Sequence, residues 1–259
     1  MRDAVYEAAY FKALQDPKFA KLDSEYRRLM NRVKASIFSD EPAEDLTNRV
    51  IEVMARRNAM LETIYKPMLH VYSVAERKKR LMHSGLPEGG AAGFEGPVPA
   101  GLEKVYASLE KYAKKFPNVA KPNIIMSGAT GTGKTVAVQT LGRAVLDAGH
   151  SVIYVTAFDM LNRIKRYVFD KVDSAFDDML GAGLLIIDDL GTEPTIRNLT
   201  DEYFYNLVNQ RLVALRPFVI TTNLDRAMLN DRYGDRITSR LFAKDTTAVI
   251  ELKGVDLRR

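Results

Sequence analysis

The spacing of apolar positions changes character along this chain, and each change predicts a different kind of element. Leu22, Tyr26, Leu29, Met30, Val33 and Ile37 recur at intervals of three and four, which predicts an amphipathic helix. Asp40, Glu41 and Pro42 interrupt it. A second stripe, Leu46, Val50, Val53, Leu61 and Ile64, predicts another helix, ended at Pro67 because proline lacks the N–H that continues the ladder. Tyr6, Tyr10, Phe11 and Leu14 predict a short first helix closed by Asp16 and Pro17. Residues 1–86 therefore read as a helical N-terminal domain. Its stripes pack on one another and leave apolar surface for a partner.

The next stretch, LPEGGAAGFEGPVPAG, is rich in Gly, Pro and Ala, and residues 87–101 read as a linker. A helix is predicted over 102–116. Short apolar runs follow at 123–127, 152–156, 184–187, 218–222 and 247–252, separated by helical patterns. Strands alternating with helices predict βαβ units and a parallel sheet. The fold class is α/β over residues 102–259, a central parallel sheet flanked by helices, preceded by a small all-α domain.

Composition narrows the function classes. The chain is 46% hydrophobic and 27% charged, which suits a globular core, and it has no cysteine, which excludes disulfides and thiolate zinc sites. No apolar run approaches the roughly 20 residues of a membrane helix. The charged start, MRDAVYEAAYFKALQD, has no signal-peptide core, so a cytoplasmic protein is expected. A net charge of +5 permits nucleic-acid binding without requiring it, because scattered lysines reach the same total.

Two segments carry candidate chemistry. In GLLIIDDLGTEP, four large apolar residues run into Asp188 and Asp189. Taken alone, this is either a strand with two solvated acids at its end or a buried strand delivering two carboxylates to the ligand-binding rim of an α/β sheet. The second segment decides between them. Gly128-Ala129-Thr130-Gly131-Thr132-Gly133-Lys134-Thr135 matches G-x-x-x-x-G-K-[ST], the P-loop or Walker A pattern, with a predicted strand before it and a helix after it. The glycines let backbone N–H groups converge on phosphate oxygens, Lys134 can reach the β- and γ-phosphates, and the Thr135 hydroxyl can ligate Mg²⁺. In ATPases of this kind the acidic strand lies beside the loop. Asp188 would hold Mg²⁺ through water, and Asp189, a methylene shorter than the more usual Glu, would orient or deprotonate the attacking water.

From about residue 86 onward the chain resembles the AAA+ ATPases of the DnaC/DnaI helicase-loader family and the related IstB transposition ATPases. The resemblance is carried by SGATGTGKT, SVIYVTAFDMLNRIK, LLIIDDLGTE, FVITTNLD, YGDRITSRL and VDLRR, in that order. It implies ATP and Mg²⁺ as cofactors, slow assembly- or DNA-stimulated hydrolysis, and self-association on the helicase. It implies that Asn223 is the sensor-1 residue at the γ-phosphate. It implies that Arg240 is an arginine finger serving the neighbouring subunit, with Arg236 four residues earlier on the same helix face. Arg258 matches the sensor-2 position. Loaders of this type carry single-strand contacts near DMLNRIKRYVFDK, where Arg163, Lys165, Arg166, Tyr167 and Phe169 offer cations for phosphates and rings for bases. Arg197 and Asn198 are weaker candidates for the same channel. The function implied is an ATP-dependent replicative helicase loader in DNA replication, with residues 1–86 binding the helicase and the AAA+ module binding single-stranded DNA. The alternative is an IstB-like transposition ATPase acting with a transposase on duplex DNA.

Overall fold

The computed structural model describes residues 2–36, 43–88, 93–171, 173–196 and 199–253. The chain divides into two compact units, Met1–Lys78 and Lys79–Arg259.

Among the described residues the first unit is built on α1 (Arg2–Ala13), α2 (Pro17–Ser36) and α3 (Ala43–Ser84) as far as Lys78, the last residues of α3 belonging to the second unit. The Asp16 carboxylate caps α2 by accepting from the N–H of Lys18 at 2.7 Å, with Pro17 at the first helical position, where its missing N–H costs nothing. Ala9, Ala13, Phe19 and Leu61 form a buried cluster joined by Tyr10, Leu14, Ile64, Tyr65 and Met68. This corrects the expected end at Pro67, because α3 continues through that residue. An interior proline costs about 3 kcal/mol. Here Leu61 and Ile64 before it and Met68 after it pack into one cluster, and that shared burial offsets the lost hydrogen bond. Asp23 is buried beside this cluster and accepts from Tyr10 (2.7 Å), Arg27 (2.8 Å) and Arg57 (2.6 Å). Burial alone would raise its pKa, but these hydrogen bonds outweigh it and hold the carboxyl below its ordinary value.

The second unit holds a five-stranded, all-parallel sheet. Its elements are α4 (Glu103–Lys115), β1 (Asn123–Gly128), α5 (Lys134–Asp147), β2 (Val152–Thr156), α6 (Ala157–Phe169), α7 (Asp173–Gly181), β3 (Leu184–Leu190), α8 (Thr200–Val213), β4 (Phe218–Thr222), α9 (Arg226–Tyr233), α10 (Asp235–Leu241) and β5 (Thr247–Leu252). The strand order is β2-β3-β4-β1-β5. Strand residues alternate between two cores. Ile125, Ile153, Leu185, Ile187, Phe218 and Ile220 join a cluster with α6 to α10. Ile124, Met126, Val152, Leu184, Ile186 and Val219 join one with α4 and α5. The near-continuous apolar runs of the sequence are thus strands buried on both faces. Leu81, Leu86 and Phe94 also pack against the α4/α5 core, so Phe94, inside the segment expected to be a linker, is part of this unit's packing.

Topology fixes where a ligand can bind. The chain leaves β1 through α5 to reach the β2 edge, and later passes from β4 to β5 on the other side of β1. Such a reversal opens a crevice at the carboxyl ends of the central strands. Both motif segments end there.

Candidate functional site

The loop after β1 is shaped by its glycines. Gly128 has φ +152°, and a Cβ there would lie 2.5 Å from the Leu252 carbonyl oxygen of β5. Gly133 has φ +88° and is the N-cap of α5 without any side-chain cap. The start of α5 therefore has no capping side chain, the usual condition for receiving an anion. The Thr132 hydroxyl donates to the Ala129 carbonyl at 2.8 Å and closes the loop on itself.

Lys134 is 4% exposed, and its ammonium donates to Gly128 O (2.7 Å), Ala129 O (2.8 Å) and Asn223 Oδ1 (2.7 Å). Beside it opens a cavity of about 470 Å³ walled by Thr130, Gly131, Gly133, Thr135, Asp189 and Asn223. Pro99 and Ala100 also line it. These two were not singled out in the sequence, since nothing local marks a Pro/Ala segment as a wall of a distant loop.

The acidic pair is delivered by a β-bulge. Ile187 pairs with Ile220 and Leu190 with Thr222, so Asp188 and Asp189 together oppose Thr221. The bulge sends the two carboxylates to different places. Asp189 has φ +57° and lines the cavity. Asp188 is 2% exposed and accepts from Thr221 Oγ1 at 2.5 Å and Tyr154 Oη at 2.6 Å. The Thr221 hydroxyl also accepts the Asp189 N–H at 2.8 Å, which satisfies a backbone donor that the bulge takes out of the ladder. The solvated-acid reading of this pair does not hold for Asp188. Strand β3 runs through both acids to Leu190 instead of stopping at Ile187.

The turn after the pair is pinned by Glu193, a buried residue. Its carboxylate accepts from Gly191 N at 2.9 Å and from Arg232 at 3.4 Å, and from the Tyr233 hydroxyl. Burial and this carboxylate push the Tyr233 hydroxyl's pKa up, so it stays a proton donor.

The remaining candidates lie elsewhere. Arg236 and Arg240 stack over the Tyr205 ring at 4.0 and 4.7 Å. Arg240 also donates to Asn209 Oδ1 at 3.1 Å and to the Arg236 carbonyl at 2.9 Å. Neither arginine is on the wall of its own chain's cavity. On α6, Ala157, Met160, Leu161 and Ile164 face the core. Arg163 and Lys165 are half-buried and Arg166 is exposed. Tyr167 stacks on Phe176 at 5.1 Å and meets Tyr203 edge-on, whereas Phe169 is 67% exposed. Arg197, Asn198 and Arg258 lie outside the described residues.

The donor set fits a nucleoside triphosphate with Mg²⁺. The uncapped start of α5 and a lysine suit phosphate, and the oxygens of Thr135, Asp188 and Asp189 are the hard ligands that Mg²⁺ or its waters accept. Among the described residues no cluster of three or more His, Asp or Glu could hold a metal by itself. The family profile described as IstB-like ATP binding protein matches residues 113–249, more than half of the 259-residue chain. The chain belongs to the IstB-like ATP-binding protein family. The replicative helicase loader DnaC of Buchnera aphidicola subsp. Acyrthosiphon pisum is 26% identical to this IstB-like chain over 147 residues, 54% of the chain and 58% of the relative. The match thus spans under two thirds of that relative's length. A crystal structure of the DnaC helicase loader aligns with 62% of this chain and 97% of its own, with TM-score 0.55 and 20% identity. AMPPCP-bound DnaA from Aquifex aeolicus aligns with 65% of this chain and 51% of its own, with TM-score 0.56 and 21% identity. Both likenesses, at 20% and 21% identity, concern the fold alone. Among the described residues no helix is long and apolar enough to cross a membrane.

Proposed function

We propose that this protein is an ATP-hydrolysing loader of the replicative DNA helicase. The observation that carries the reading is the convergence of the phosphate loop, Lys134, Asp189 and Asn223 on one cavity at the carboxyl ends of the sheet. The N–H groups at the start of α5 would take the phosphate oxygens, and Lys134 would move from the loop carbonyls to the β- and γ-phosphates. Bound Mg²⁺ would neutralise phosphate charge, held by Thr135 directly and by Asp188 through water. Asp189 would accept a proton from the attacking water, and Asn223 would hold that water in line. Pro99 and Ala100 offer an apolar wall to the base.

Arg240 would complete the site of a neighbouring copy. Its stacking on Tyr205 and its place off its own cavity wall support a role in trans. A charge lent by the neighbour makes hydrolysis depend on assembly, so ATP acts as a switch. The exposed Phe169 with Arg163, Lys165 and Arg166 would grip single-stranded DNA, by ring stacking and phosphate contacts. Residues 1–86 would bind the helicase, with residues 87–101 joining them to the ATPase domain over 102–259.

The test is reconstitution with the replicative helicase of the same organism. The full chain should form a complex with it on size exclusion and place it on a circular single strand in an ATP-dependent way. Failure to form that complex, together with preference for duplex DNA and a transposase, would favour the alternative of a transposition ATPase.

A further inference from the structure

Asp188 is gripped by hydroxyl groups on both of its oxygens. Thr221 of β4 donates to Oδ1 at 2.5 Å and Tyr154 of β2 donates to Oδ2 at 2.6 Å. The Tyr154 oxygen in turn accepts from Gln139 Nε2 of α5 at 3.1 Å. One relay therefore runs from the helix that leaves the phosphate loop, through a phenol on β2, to the buried carboxylate of the acidic strand.

Packing does not require a phenol at residue 154. The position lies on the β2 face that joins the α4/α5 core, where Val152 is a buried valine. A ring without oxygen would fill the same space. The oxygen adds one donated proton, and its direction is set. Gln139 occupies the acceptor side of the hydroxyl, which leaves the proton to Asp188.

We propose that Tyr154 is a positioning residue for the Mg²⁺–nucleotide complex: held by Gln139, it locks the rotation of Asp188 so that the carboxylate meets hydrated Mg²⁺ without reorienting. The proposal rests on the ATP-site reading above. A carboxylate has about four acceptor directions, two on each oxygen. Thr221 and Tyr154 take one on each and leave one on each for metal-bound water. With Thr221 alone, the group can swing about a single hydrogen bond. Partners of this kind orient metal ligands in many sites, and their loss weakens metal binding by about 10- to 100-fold.

The test is Tyr154→Phe in the full-length protein, with binding of a fluorescent ATP analogue followed against Mg²⁺ concentration and in EDTA. The Mg²⁺ concentration that gives half of the tightening should rise about tenfold, while affinity in EDTA stays within about twofold of wild type. Gln139→Met should shift the Mg²⁺ requirement in the same direction by less, and should add little in the Tyr154→Phe background, because both act through one relay. An unchanged or lowered Mg²⁺ requirement in Tyr154→Phe would overturn the proposal. So would an equal loss of affinity in EDTA, which is what a hydroxyl needed only for the fold would produce. A wild-type protein whose nucleotide affinity ignores Mg²⁺ would overturn both this proposal and the ATP-site reading. A Mg²⁺-dependent wild type with an indifferent variant would overturn this proposal alone.

Discussion

The Lys134 ammonium donates to Asn223 Oδ1 at 2.7 Å, joining residues that lie 89 positions apart. One follows β1 and the other follows β4, and these strands are neighbours in the sheet. The parallel pairing therefore brings the loop's lysine and a side-chain amide to the same cavity wall. Its amide oxygen holds the lysine, and on the function proposed above its NH₂ would reach a γ-phosphate or a water.

Asn223→Ala should accordingly leave ATP binding within a few-fold of wild type and lower hydrolysis by about 10², the usual cost of losing one positioned donor. Single-turnover hydrolysis measured beside equilibrium binding separates the two effects. Loss of binding with no separate loss of turnover would make Asn223 merely a prop for Lys134.

The two rings at the end of α6 should behave oppositely. Phe169→Ala should weaken single-strand DNA binding by about 1–3 kcal/mol with little change in stability, because the ring is exposed. Tyr167→Ala should instead lower the melting temperature, since its ring is stacked on Phe176 and Tyr203. Fluorescence anisotropy with a labelled oligonucleotide and thermal melts check both.

Asp23 predicts a pH dependence for the helical N-terminal unit. Its carboxyl is held below its ordinary value, against the cost of burial, by Tyr10, Arg57 and Arg27. A folded pKa below the unfolded value of about 3.9 means that the contribution is fully present above that pH. It is lost as pH falls through the folded pKa. Amide exchange of α2 in the full chain should therefore stay protected at neutral pH and lose protection below about pH 4. Asp23→Asn should weaken protection at pH 7 and make it less sensitive to acid. Equal acid sensitivity in both proteins would assign the transition to other carboxylates.

Much of this was legible in the sequence, for identifiable reasons. The phosphate loop is contiguous, so Gly128 to Thr135 declare their geometry locally. The five strands could be read because burial on both faces leaves runs such as LLII and FVIT nearly free of polar residues. Other features depend on contacts distant in sequence. Pro67 reads as a helix end, and only the clustering of Leu61, Ile64 and Met68 with α1 carries the helix past it. The bulge that parts Asp188 from Asp189 depends on register against β4, and Thr221 is one more threonine in ITTN until that register is known. Tyr154 reads as an ordinary strand aromatic. Tyr167 and Phe169 share one amphipathic segment, and only the packing of α7 and α8 shows which ring is spent on the core.

The most direct test of the ATP site is calorimetric titration of the full-length protein with ATP in Mg²⁺, beside Lys134→Ala. One saturable site per chain is expected in the wild type. In the variant, affinity should be reduced beyond about 100-fold (some 2.7 kcal/mol), with the thermal unfolding of the α/β unit retained. Unchanged ATP affinity in a folded Lys134→Ala protein would contradict the ATP-site reading.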